Sequence, residues 1–279
     1  SQTVRAFAVY VDDSKHCQTR IDVAANLAGR FDAHLVGVYA IEPIPSAHAL
    51  QDPWLAQRLA ARSTLASERA ASARELFHAS AGEIDSARRE FRELDIDIVD
   101  AIKALYADLI IVGQTDPDER LINTPPSFPE IVTLSVGRPV LFVPYFTAAY
   151  PTLGTKILVA WNGSREATRA VSDALPLLEK AERVTAMVVN AKRDRNQRED
   201  IPAADISLFL ARHGVNVEAT QSYTDELSVG DELLVRVADG EFDLLVMGAY
   251  GHSRFREIVL GGVTQTLLQH MTVPVLMSH

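Results

Sequence analysis

Four glycines, Gly248, Gly251, Gly261 and Gly262, are the residues of this chain whose spacing best suits the binding of an anion. They follow the apolar run DLLVMG (243–248) and lead into VTQTLLQH (263–270), whose apolar period is helical. Gly248 and Gly251 stand where a strand must end. Glycine there lets the backbone turn with φ > 0 and lie close to a ligand. Gly261 and Gly262 open the helix that begins at Val263, and N–H groups at the positive end of a helix dipole seat phosphate. Thr264 adds a hydroxyl in the first turn. His252 and Arg254, with Arg256 beyond them, either meet phosphate or stand solvated around the turn. The structural alternative is a tight glycine turn that packs a helix on a sheet.

The elements that must hold this turn come from an internal repeat. DLIIVG (108–113) and GRPVLFVP (137–144) in the first half match DLLVMG (243–248) and TVPVLMSH (272–279) in the second. Gly113 to Pro139 and Gly248 to Pro274 are the same 26 residues apart. The openings match too, RAFAVYVDDS (5–14) with TKILVAWNGS (155–164). Helical patterns follow over Gln18–Arg30 and Glu166–Lys180, then second strands over 34–42 and 183–191. The first half continues with helix Pro53–Ser80, strand Ala87–Arg92 and helix Ile96–Leu105. The second continues with helix Ala203–His213, strand Val217–Tyr223 and helix Gly230–Ala238. Alternating strands and helices make βαβ units and a parallel sheet covered on both faces. The expected fold is thus α/β, two tandem doubly wound five-stranded sheets of Rossmann-like type. Residues 1–146 form the first domain, 147–154 a linker and 155–279 the second. In such sheets ligands bind at the carboxyl ends of the strands, where the glycine turn falls.

Bulk properties narrow the partners. A chain of 279 residues, 47% apolar and 23% charged, suits two globular domains of about 140 residues each. The net charge of −10 argues against nucleic acid or an anionic membrane as the main partner. No apolar run reaches the roughly 18–20 residues of a membrane span, and the first residues lack the basic region of a signal peptide. One cysteine, Cys17, excludes an intramolecular disulfide framework and fits a reducing cytoplasm. His16, Cys17, His252, His270 and His279 show no zinc spacing. Cys17 reads as a packing residue, Ser164 as a helix cap rather than a hydrolase nucleophile, and KRDRNQRED (192–200) as an exposed loop.

Gly248-x2-Gly251-x9-Gly261, after a hydrophobic strand and before VTQTLLQHMTVPVL, resembles the motif of the universal stress protein family. The resemblance covers nearly all of both halves and implies a tandem member. In ATP-binding members the loop holds ribose and phosphates, and an Asp ending the first strand contacts adenine. By that resemblance Asn162 takes the Asp position, after Ala160 and Trp161, while Val189 and Met247 border the base. An adenine nucleotide (ATP, ADP or AMP, with Mg2+ accompanying a triphosphate) is the implied ligand. Two residues depart from the pattern. Gly262 replaces the Ser or Thr whose hydroxyl meets phosphate, a loss of about 1 kcal/mol for one hydrogen bond. Asn162 keeps an acceptor for adenine's exocyclic amine and adds a donor. Trp161 either stacks on the base or fills the pocket.

In the first half the 26-residue interval aligns Asp116 with Gly251, Pro126 with Gly261, Ser127 with Gly262 and Pro129 with Thr264. Asp116, Asp118 and Glu119 repel phosphate, and Pro125, Pro126 and Pro129 offer it no N–H. The first-strand acid is present as Asp12, beside Asp13, in what reads as a solvated turn or a contact for a base, a metal or a basic partner. The first half is therefore structural or partner-binding. The sequence supports a non-enzymatic stress-response protein with a nucleotide in its second half. The alternatives are a nucleotide-independent interaction scaffold, with an unidentified protein partner, and a slow ATPase. The family resemblance also implies dimer-like pairing of last strands. Within one chain that sets residues 140–144 against 275–279 as a pseudo-dimer, and leaves a homodimer open.

Overall fold

The computed structural model describes residues 4–41, 53–103, 106–119, 124–125, 127–146, 149–189, 203–250 and 262–279. The chain divides into two compact units, Arg5–Val136 and a second that spans Gly137–His279. The first contains β1 (Ala6–Tyr10), α1 (Cys17–Phe31), β2 (His34–Ala40), α2 (Pro53–Ser80), β3 (Arg89–Leu94), α3 (Ile98–Lys103), β4 (Leu109–Gly113) and α4 (Phe128–Ser135). Its strands lie in the order β3-β2-β1-β4, all parallel. The second contains β5 (Val140–Val143), β6 (Lys156–Ala160), α5 (Arg165–Glu179), β7 (Arg183–Val189), α6 (Ala204–Arg212), β8 (Val217–Ser222), α7 (Val229–Asp239), β9 (Leu244–Gly248), α8 (Gly262–His270) and β10 (Val275–Ser278). Its order is β5-β10-β9-β6-β7-β8, parallel except for β5.

The repeat expected from the sequence is visible strand by strand. β8-β7-β6-β9 reproduces β3-β2-β1-β4, the order of a doubly wound sheet. β4 (LIIVG) and β9 (LLVMG) are continuous apolar runs buried on both faces, as central parallel strands must be. β3 (REFREL) and β8 (VEATQS) are largely polar and only partly buried, which suits strands nearer an edge. Both units tie the start of the sheet with one aspartate. Asp108 accepts from the N–H groups of Arg5 and Ala6, at 2.7 and 3.0 Å. Asp243 accepts from those of Gly154, Thr155 and Lys156, at 2.9–3.2 Å.

By strand succession β5 holds the place in the first repeat that β10 holds in the second, yet it packs within the second unit. It runs antiparallel to β10, with Phe142 opposite Val275, Leu141 opposite Leu276 and Val140 opposite Met277. All of these side chains are buried, so the pairing covers an edge that would otherwise be an apolar template. Among the described residues no helix is long and apolar enough to cross a membrane.

Candidate functional site

β6, β7 and β9 end side by side in the second unit, and their last residues form the floor of a cavity of about 220 Å³. Ala160, Trp161 and Asn162 come from the end of β6, Met187 and Val189 from β7, Met247 and Gly248 from β9. Gly262, Val263 and Thr264, the first residues of α8, close one side. The structure thus brings together Ala160, Trp161, Asn162, Val189, Met247, Gly248, Gly262, Val263 and Thr264 around one space. Gly251, His252, Arg254 and Gly261 lie outside the described residues.

The surroundings are mostly apolar. Met187, Met247 and Leu233 are almost wholly buried, and Val229 and Leu233 face the space from successive turns of α7. Sequence reading missed this α7 wall, together with Met187 and Tyr250. Buried aliphatic residues one helical turn apart read only as core. Ser164 caps α5 as expected, its Oγ accepting from Ala167 N at 3.1 Å, and it also lines the cavity.

The polar groups are few and oriented. Asn162 Oδ1 accepts from Ser164 N at 3.0 Å, closing a turn at the end of β6. Thr264 Oγ1 accepts from Tyr250 N at 3.2 Å, so this buried hydroxyl fixes the chain where it leaves β9. The expected positive φ at Gly248 is not found. Tyr250 takes it instead, at φ 61°, a strained value for a bulky side chain. Gly248 serves close packing: a Cβ there would lie 2.4 Å from Ala167 N and 2.5 Å from the carbonyl carbon of Glu166. Gly262 differs, since no described residue lies within 4 Å of a Cβ built on it.

Comparison with known proteins bears on the family. The family model described as "Universal stress protein family" matches residues 4–123 and again 155–279. This chain belongs to the universal stress protein family. A universal stress protein of Synechocystis sp. is 29% identical over 150 residues, which cover 53% of this chain. The match spans about half, 49%, of that relative's length. A universal stress protein from Archaeoglobus fulgidus has a similar structure, with a TM-score of 0.70 at 15% identity, over 98% of this chain and 97% of that one. A putative universal stress protein from Pseudomonas aeruginosa gives a TM-score of 0.62 at 18% identity, over 99% and 93%. At these identities the structural likeness concerns the fold.

The first universal stress protein repeat differs where its site would be. Asp12, expected in a solvated turn, is buried and paired with Arg20 of α1: Nη1 to Oδ2 is 3.0 Å and Nη2 to Oδ1 is 2.6 Å. Burial alone would raise the Asp12 pKa, but the guanidinium outweighs it and holds the carboxyl below its ordinary value. Arg20 escaped sequence reading, although an arginine on the buried face formed by Cys17, Ile21, Ala24 and Leu27 was a signal. Asp13 stays exposed, accepting from Tyr39 Oη at 3.2 Å, with Arg69 of α2 at 4.0 Å. Asp116 is held by Lys15 at 3.0 Å and His16 at 3.3 Å. His16, Asp116 and Glu119 bring potential metal-ligand atoms within 4.8 Å of one another, a grouping the sequence hid across 100 residues. The Lys15 ammonium already neutralises Asp116 there. Pro126 lies outside the described residues.

Proposed function

We propose that this universal stress protein is non-enzymatic and that its second unit binds a nucleotide as a sensing or stabilising ligand. The observation that carries this reading is the meeting of an apolar slot with a helix N-terminus on one cavity. The slot between Ala160, Met187, Val189 and Met247 suits a flat base, and α8 begins at Gly262 on its rim. Phosphate fits the α8 end because its first N–H groups carry the positive end of the dipole, and no described residue lies within 4 Å of a Cβ at Gly262. The family resemblance directs the base to adenine, as in ATP, ADP or AMP. Among the described residues the lining holds no carboxylate, so Mg2+ would enter with a triphosphate, on the phosphates themselves. What the lining offers, an amide, hydroxyls and apolar surface, holds a ligand rather than moving protons.

The first unit takes a structural or partner-binding part, because Arg20 neutralises Asp12. The last-strand pairing that the resemblance implies is the antiparallel pair of β5 and β10 inside the second unit, on which the pseudo-dimer reading rests. A cytoplasmic setting suits the single, buried, unpaired Cys17. Mass spectrometry of small molecules released from freshly purified protein, with calorimetry against added nucleotides, tests the reading. A nucleotide released, or a saturable heat, supports it; neither signal from any nucleotide overturns it in favour of a nucleotide-independent scaffold. Linear phosphate release that is lost on blocking the cavity would instead make the protein a slow ATPase.

A further inference from the structure

His16, Asp116 and Glu119 meet at the switch point of the first unit's sheet. The chain leaves β1 toward β2 on one side, and β4 lies on the other. The carboxyl ends of β1 and β4 thus flank the crevice in which open α/β sheets take ligands. His16 stands at the start of α1, just after β1, while Asp116 and Glu119 follow β4. One atom of each lies within 4.8 Å of the other two, the single such grouping among the described residues. His16 Nε2 and Asp116 Oδ2 are 3.3 Å apart. Two ligands of a tetrahedral zinc ion, each at about 2.0–2.1 Å from the metal, are separated by about 3.3–3.4 Å.

The carboxylates leave oxygens for such an ion. Asp116 Oδ1 accepts from Asp118 N at 2.9 Å, which leaves Oδ2 to His16. Glu119 Oε1 accepts from Lys15 N at 3.1 Å. Its Oε2 is shut off from solvent and has no hydrogen-bond partner among the described residues. A buried carboxylate oxygen without a donor is costly, and a cation removes that cost. Lys15 Nζ holds Asp116 Oδ2 at 3.0 Å, but its side chain is 59% exposed, so it can return to water with little loss. We propose that His16, Asp116 and Glu119 bind a divalent transition metal of the zinc type, which displaces the Lys15 ammonium from Asp116. One imidazole and two carboxylates suit zinc better than a hard cation, and the two carboxylate charges balance its own. Among the described residues no fourth ligand joins them, so water completes the coordination. The bound ion pins the chain after β4 to the start of α1.

The repeat aligns His16 with Glu166, Asp116 with Gly251 and Glu119 with Arg254, so the second half lacks the set and one ion per chain is expected. Titration calorimetry of the full chain, stripped with chelator and dialysed, against zinc chloride reads this. A saturable heat with a stoichiometry of one supports the site. His16→Ala and Glu119→Gln should each weaken binding at least about tenfold. Lys15→Ala removes the competing ammonium and should tighten binding about two- to fivefold. His16 and Glu119 are only partly buried, and equal melting temperatures without zinc check that both variants fold. Lys15→Ala alters an exposed side chain, so its fold is not at stake. The absence of a saturable heat overturns the site. So does zinc binding that His16→Ala and Glu119→Gln leave unchanged, or that Lys15→Ala fails to tighten.

Discussion

Arg20 meets both carboxylate oxygens of Asp12 in a pair whose side chains are 4% and 8% exposed. Arg20 Nη2 also donates to Ser14 Oγ at 3.1 Å, and the Tyr10 ring centroid lies 5.6 Å from the guanidinium carbon. Gly113 makes room for it, because a Cβ there would be 3.1 Å from Nη1. In the second unit the equivalent glycine, Gly248, admits the backbone of α5 instead. One position in the repeat thus serves two ends: a closed ion pair in the first unit and the floor of an open cavity in the second.

Truncating Arg20 leaves a buried carboxylate without its counter-ion. Arg20→Ala should destabilise the chain by about 3–5 kcal/mol, read from denaturant midpoints with the slope unchanged. A loss below about 1 kcal/mol would show that water or another cation replaces the guanidinium.

The same pair sets an acid dependence. The folded Asp12 pKa lies below its ordinary 3.8, so the pair's contribution is complete above about pH 4 and is lost as pH falls through the folded value. Asp12→Asn should be less stable than the natural chain at neutral pH, and the gap should narrow as the pH drops below about 4. Parallel urea titrations across that range check this, and a gap that stays constant contradicts it.

Burial pushes the Cys17 thiol up to about 11, against the pull of Arg20. The folded protein should resist iodoacetamide near neutral pH and become alkylated only when unfolded. Mass shifts with and without denaturant check it; prompt alkylation of the native chain would place Cys17 outside the core.

Gly248 and Gly262 should respond in opposite ways. Gly248→Ala drives a methyl into the start of α5 and should cost about 3 kcal/mol. Gly262→Ser meets no described residue and supplies a hydroxyl at the helix start, so nucleotide affinity should rise about fivefold with little change in melting temperature. Thermal melts and calorimetry on both variants separate the two roles.

Much of the fold was legible because buried parallel strands and amphipathic helices write strong periods. The helix expected over Glu166–Lys180 is found at Arg165–Glu179, and the 26-residue interval located β4, β5, β9 and β10. The β6 residues and the α8 start were legible through the repeat and the resemblance. What stayed hidden depends on three dimensions. Arg20 needs the rotation of α1 to reach Asp12, and His16 meets Asp116 only after the chain has returned through three further strands. Tyr250 carries a positive φ that residue type argues against, and Val229 and Leu233 look like any core pair until β6 and β9 leave a space beside them.

The central claim is one nucleotide site per chain, in the second unit. Titration calorimetry with ATP and ADP on the natural chain, on Asp12→Asn and on Gly262→Glu is the direct check. A stoichiometry of one per chain is expected, kept in Asp12→Asn and with affinity weakened at least about tenfold in Gly262→Glu, whose carboxylate repels phosphate at the α8 end. Two sites per chain, no binding, or affinity that survives Gly262→Glu unchanged would contradict it.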